Sequence, residues 1–179
     1  MRAVFVAAGA LAVAVVGSAG LAAPASASNF GVELNGTYRA ISNGDWAKTN
    51  DVFINEQTVV QTWTISSTCT SPVTCTGEVK SDQGWTATLK LGGTEGTGSL
   101  GDYWVADHDI ANWEPCPDGT AATGHQKFLF WGVNPVANDR DLKIVDLLAG
   151  LDTTIAPSGA CGINKALEIQ LPLRLEKMS

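Results

Sequence analysis

Leu167, Ile169, Leu171, Leu173 and Leu175 alternate without a break with Glu168, Gln170, Pro172 and Arg174. A side-chain period of two sorts these residues onto opposite faces of a strand, one packed and one solvated, whereas a helix would scatter the leucines around its axis. Pro172 falls on the polar parity, and because proline has no N–H it predicts an exposed or irregular edge at that point. The same pattern runs from Gln57 to Ser66, where Gln57, Val59, Gln61, Trp63 and Ile65 share one parity and Thr58, Val60, Thr62, Thr64 and Ser66 the other. It recurs where Trp85, Ala87, Leu89 and Leu91 alternate with Thr86, Thr88 and Lys90.

Weaker strands are read at Leu34 to Ile41, Gly77 to Ser81, Tyr103 to Asp107, Gln126 to Val133 and Leu142 to Val145. Clusters of Gly, Asn, Asp, Ser and Pro separate the runs, at residues 42–45, 66–72, 92–101, 115–124, 134–141 and 156–162. Regularly spaced strands with turn chemistry between them predict a mainly all-β fold: a single antiparallel β-barrel or β-sandwich of about eight strands. At most one short helix is expected, over Leu142 to Leu151, where Leu142, Val145, Leu148 and Leu151 recur at helical intervals; a strand fits the same residues nearly as well.

Residues 1–27 read as a signal peptide. Met1 and Arg2 supply the positive start, Ala3 to Ala23 the apolar stretch, and Ala25-Ser26-Ala27 the small-x-small site, so cleavage is expected before Ser28. A retained anchor is the alternative, since about 20 apolar residues span a bilayer. Against it stand the Gly, Ser and Pro content near Ala27 and the lack of a basic flank. The remaining residues, 28–179, are expected to form one secreted β-domain with no stable membrane insertion. A chain of that size buries roughly 70% of its unfolded surface and supports its own core. Without the leader the chain carries 10 basic and 18 acidic residues, a net charge of −8. That sign excludes a phosphate-tracking nucleic-acid binder, and no basic cluster offsets it.

Cys69, Cys75, Cys116 and Cys161 all follow the leader, as disulfides in an oxidising compartment require. Three pairings are possible, and the preferred one closes CTSPVTC with Cys69–Cys75 and leaves Cys116 for Cys161. Zinc fits poorly, because no CxxC pair exists and His108 and His125 are not set at ligand intervals from the cysteines. No cofactor is implied.

Catalytic motifs fare badly. Gly96, Gly98 and Gly101 satisfy GxGxxG, but Asp102 to Val105 continue as a strand rather than opening a helix, so a hairpin loop explains the glycines. Asp107-His108-Asp109 offers metal ligands, yet neighbours on an extended segment point to opposite faces. Two histidines without a GxSxG elbow give a Ser-His-Asp site little to work with. Carboxylate pairs such as Glu78 with Asp82 or Glu114 with Asp118 have nothing to distinguish them from surface acids. An enzyme is therefore the less favoured reading, and no catalytic or metal-binding residue is assigned.

Six tryptophans are the unusual feature of the composition. Trp63 and Trp85 share the inward parity of their strands and belong to the core. Trp46 and Trp113 stand beside turns, where strand packing does not require a large ring, so they are the candidate binding residues for a small apolar or glycan ligand or a protein partner. Asn35-Gly36-Thr37 matches a glycosylation sequon and, in a bacterial protein, reads as a turn into the first strand.

The segments LNGTYRAISNGDWAKTNDVF, TVVQTWTISSTCTSPVTCTGEV, SDQGWTA, NWEPCPDGT and SGACGIN cover most of the mature chain and resemble small exported proteins of mycobacteria and related actinobacteria. The resemblance implies a secreted or envelope-associated protein with two disulfides. That group has no assigned activity, so it supplies no catalytic residue. NGTYRA also has a looser likeness to the opening strand of lipocalin and avidin-type barrels, with Tyr38 where those carry tryptophan. The resulting expectation is a non-catalytic binding domain of the extracellular or envelope space, with a structural or host-facing interaction protein as the alternative and a carboxylate-dependent hydrolase behind both.

Overall fold

The computed structural model describes residues 29–92 and 103–179. The expected leader and the Gly96–Gly101 motif lie outside the described residues. Within them the chain forms β1 (Gly36–Ser42), β2 (Lys48–Thr49), β3 (Val52–Phe53), β4 (Val59–Ser71), β5 (Thr74–Ser81), β6 (Thr86–Leu91), β7 (Trp104–Pro115), β8 (Ala121–Asn134), β9 (Asp139–Arg140), β10 (Leu147–Ala156) and β11 (Leu167–Lys177). Apart from the two-residue β2, β3 and β9, every strand pairs antiparallel with its neighbours in the order β1-β4-β5-β6-β7-β8-β10-β11. The pairing of β11 with β1, from Ser42 opposite Leu173 to Tyr38 opposite Lys177, closes this sheet into an eight-stranded barrel. Of the two architectures expected, the barrel is the one formed, and closure removes the sheet edges that a sandwich would have to protect.

Residues 142–151 do not form a helix. Leu147–Ala156 is β10, buried on alternate residues Leu148, Asp152, Thr154 and Ala156 and paired on both sides. Helical spacing over so short a run could not compete with two full ladders of backbone hydrogen bonds. Strand β4 also outruns its expected end. Ser67 and Cys69 keep the inward parity, and Cys69 lies directly opposite Cys75 in the β4–β5 ladder, so the sequence CTSPVTC is mostly hairpin rather than loop. Both expected disulfides are present, Cys69–Cys75 and Cys116–Cys161. Pro172 sits between the β1 ladder, which ends at Leu173, and the β2 ladder, which begins at Gln170. Its missing N–H therefore falls in a gap in pairing, while its carbonyl accepts from Asn43 N at 2.9 Å.

The interior is divided along its length. Trp63, Trp104, Tyr38, Phe128 and Phe130 are fully buried and pack with Leu89, Leu148 and Leu175 into an apolar plug. Trp63 meets Phe128 edge-on with centroids 4.8 Å apart, a favoured arrangement of ring quadrupoles. One end of this plug is sealed by the segment preceding β1, whose Val32 and Leu34 are buried against it. Leu34 N donates to Ser67 Oγ at 2.8 Å, and Ser67 Oγ donates back to the Leu34 carbonyl at 3.0 Å. Towards the other end the inward positions turn polar: Ser42 on β1, Gln61 on β4, Gln126 on β8, and Asp152 and Thr154 on β10. Apolar packing stops short of that mouth.

Candidate functional site: a cup at the barrel mouth

Above the polar layer lies a cavity of about 540 Å³, formed by the N-terminal ends of β4, β6 and β11 and the C-terminal ends of β7 and β10. Its volume is within the range of small-molecule sites. The floor is organised around two side chains. Asp152, 2% exposed, accepts from Ser42 Oγ through Oδ2 at 2.6 Å and from Gln126 Nε2 through Oδ1 at 2.7 Å. Burial pushes its carboxyl above the usual range, opposed by those two hydrogen bonds and by the nearby His108. A desolvated carboxyl favours the neutral form until something compensates its charge.

Gln61 is the second anchor. Its Oε1 accepts from Trp63 Nε1 at 3.0 Å, from Trp85 Nε1 at 3.1 Å and from Ser81 Oγ at 2.6 Å. An indole N–H can only donate, so the amide is fixed with its oxygen towards the two tryptophans, and Trp85 is held upright in the cup wall. The imidazole of His108 lies flat on Trp85, with centroids 4.4 Å apart and planes 15° from parallel.

His108 faces inward, as alternation requires, while Asp107 and Asp109 face out. There they meet His125 of β8, whose Nδ1 is 2.8 Å from Asp109 Oδ1 and whose Nε2 is 3.9 Å from Asp107 Oδ2. The sequence triplet thus splits between the cup and the outer wall. Among the described residues no group of three or more His, Cys, Asp or Glu side chains is arranged to hold a metal ion. Within the cup, His108 Nδ1 lies 3.2 Å from the Asp109 carbonyl. A carbonyl only accepts, so Nδ1 carries the hydrogen. Nε2 is shut off from solvent and has no hydrogen-bond partner among the described residues.

The two tryptophans singled out from the sequence occupy different places. Trp113 lines the cup. It belongs to a bulge in which Ala111, Asn112 and Trp113 stand opposite the single residue Thr123, between the pairs Ile110–Gly124 and Glu114–Ala122. Asn112 adopts φ 57° there, and such a bulge redirects the side chains it carries. The Cys116–Cys161 bridge, immediately beyond, ties this arm to the β10–β11 connection. Trp46 is 64% exposed on the β1–β4 excursion and borders a separate hollow of about 300 Å³ with Lys48, Phe53 and Pro172. It does not line the cup. Trp85, assigned to the core from its parity, stands in the cup wall as well. Asp152, Gln126 and His108 were not identified as a group from the sequence; the signal they leave is polar residues on inward parity near strand ends.

By sequence the chain matches no family model and no curated protein. By structure it is similar to the monomer form of the M. tuberculosis PknI sensor domain, with a TM-score of 0.54 and 12% sequence identity over 82% of this chain and 88% of that one. At that identity the likeness shows the fold alone.

Proposed function

We propose that the protein is an exported, non-catalytic binding domain whose cup receives a small molecule. The observation that carries this reading is the incomplete filling of the barrel: a dense apolar plug gives way to a polar floor with about 540 Å³ of space above it. Barrels that serve only as scaffolds fill their interiors with side chains, whereas those that bind keep a cavity. A sensor domain of related fold and the disulfide-stapled rim support a role outside the cytoplasm. On this reading Trp113 and Trp85 supply contact area at low entropic cost, and Gln61, Gln126 and Asp152 orient the ligand.

A second reading, a protein-interaction module, draws on the exposed apolar residues Trp46, Val52, Phe53 and Ile54 of the β1–β4 excursion. Small-molecule screening by thermal shift, repeated on Trp113→Ala and Trp46→Ala, separates the two. Binding in the cup requires Trp113→Ala to weaken a hit about tenfold and Trp46→Ala to leave it unchanged. Loss on Trp46→Ala alone would move function to the outer face.

A further inference from the structure

We infer that the cup takes a small organic cation, a primary ammonium on an apolar or aromatic body, with the ammonium seated over Asp152. This rests on the reading of the cup as a ligand site and specifies the ligand's chemistry.

Three independent features converge on it. The first is charge. Asp152 on the floor supplies a carboxyl, Glu56 stands on the rim with its Oε1 accepting from Thr49 Oγ1 at 3.2 Å, and no Lys or Arg is among the residues lining the cup. Asp109 also borders the cavity, but its carboxylate is turned outward to His125. A carboxylate, phosphate or sulfate would enter a site with acids and no fixed cation, at a net charge of −8 for the mature chain. An ammonium supplies the compensating charge that Asp152 lacks. Its two protein donors, Ser42 and Gln126, are both uncharged, and a buried carboxylate gains most from a paired cation.

The second feature is hydrogen-bond polarity. Each Asp152 oxygen accepts one hydrogen bond and has a further lone pair. The cup's unmet demand is therefore for donors. A primary ammonium brings three N–H groups and no acceptor, whereas an ether, ester or carboxylate brings none.

The third is the wall. The indoles of Trp85 and Trp113 line the cavity, and an electron-rich ring attracts a nearby cation more strongly once water is excluded. Ile110 and Leu171 beside them suit an apolar body.

The test is a titration of the purified protein with phenethylammonium, its neutral counterpart phenethyl alcohol, and the anion 3-phenylpropionate. It is followed by calorimetry and by the indole N–H resonances of Trp85 and Trp113. Phenethylammonium should bind at least about tenfold more tightly than either of the others and shift both indole resonances. Asp152→Asn should remove that preference while leaving the weak binding of the alcohol. Because a floor substitution can disturb the fold, Glu56→Gln at the rim provides a second variant, expected to weaken the cation about twofold to fivefold and the alcohol not at all. Equal or tighter binding of the alcohol or the anion at the same indoles would overturn the cationic assignment and leave the cup as a binding site. If no probe shifted either indole, the cup reading itself would fall, and the cationic assignment with it.

Discussion

Trp113 lies so close over Gly124 that a Cβ at position 124 would stand 2.7 Å from its Cγ and Cδ2 atoms, and 2.9 Å from Thr154 Cγ2. The bulge sends the indole back across β8, and only a residue without a side chain leaves room for it. Gly124→Ala is therefore expected to lift Trp113 off the barrel and to cost about 1–3 kcal/mol through overpacking. Chemical denaturation measures the cost. A shifted Trp113 indole resonance reports the displacement, and an unmoved resonance would contradict the contact.

The two disulfides close loops of very different length, with sequence separations of 45 and 6. In the chain-entropy picture the longer bridge contributes about 4 kcal/mol and the shorter about 2. The double variant Cys116→Ala/Cys161→Ala should accordingly lose more stability than Cys69→Ala/Cys75→Ala, whose cysteines are already held opposite each other by the β4–β5 ladder. Comparable midpoints in guanidinium for the two variants would reject this order.

Asp152 gives stability a pH dependence of defined sign. Its folded-state pKa is raised by burial above the ordinary value of 3.8, so the unfolded chain ionises first. The folded state then loses stability as pH rises from that value through the raised one. Asp152→Asn should abolish this loss, raising the melting temperature relative to the parent near neutral pH and not below pH 3.8. Parallel melting curves for the two proteins across that range would show that the group does not couple to folding.

Tyr38 acts at the alkaline end. It is buried, its hydroxyl donates to the Val145 carbonyl at 2.9 Å, and its pKa is pushed from 10.0 up to about 12 by burial and by Asp146. Between these values the unfolded phenol ionises while the folded one remains neutral, so stability falls across that window. Tyr38→Phe should cost about 1 kcal/mol at neutral pH for the lost hydrogen bond and remove the alkaline step. Ultraviolet difference titration of the parent should show one phenol titrating late.

Export is tested by mass. A mature chain starting at Ser28 in culture filtrate or envelope extracts is the expected species, and a full-length chain held in the membrane would refute it.

The alternating parity of β11 and β4 was legible because each strand has one wet and one dry face over much of its length, as Leu171–Leu175 and Gln61–Thr70 show. Parity also separated Asp107 and Asp109 from His108. Barrel closure was not legible. It depends on β1 meeting β11, and nothing in GTYRAIS names its second neighbour. The cup was hidden for a related reason: Gln61, Gln126 and Asp152 are ordinary polar residues until shear and closure bring their strand ends together. Trp85 packs against the core as its parity implies, but parity reports which face a ring is on and not whether the barrel is filled at that height, so its second place in the cup wall was not legible. Trp113 reaches the cup through a bulge, an interruption of the very periodicity used to read strands.

The seam between β1 and β11 has a kinetic consequence. Every other pairing among the eight barrel strands joins consecutive members of the meander and can form hairpin by hairpin. The seam joins the first barrel strand to the last, so the conformational search for closing the barrel is concentrated in one step. Neither disulfide spans it: Cys69–Cys75 lies within one hairpin, and Cys116–Cys161 bridges two connections on the far side of the meander. Oxidation therefore shortens the search for the cup's rim and does little for the final zipping of Tyr38–Ser42 against Leu173–Lys177. Until that zipping occurs, β1 and β11 each present an unpaired edge, and it is in this interval that a newly made chain is most open to pairing with another copy of itself.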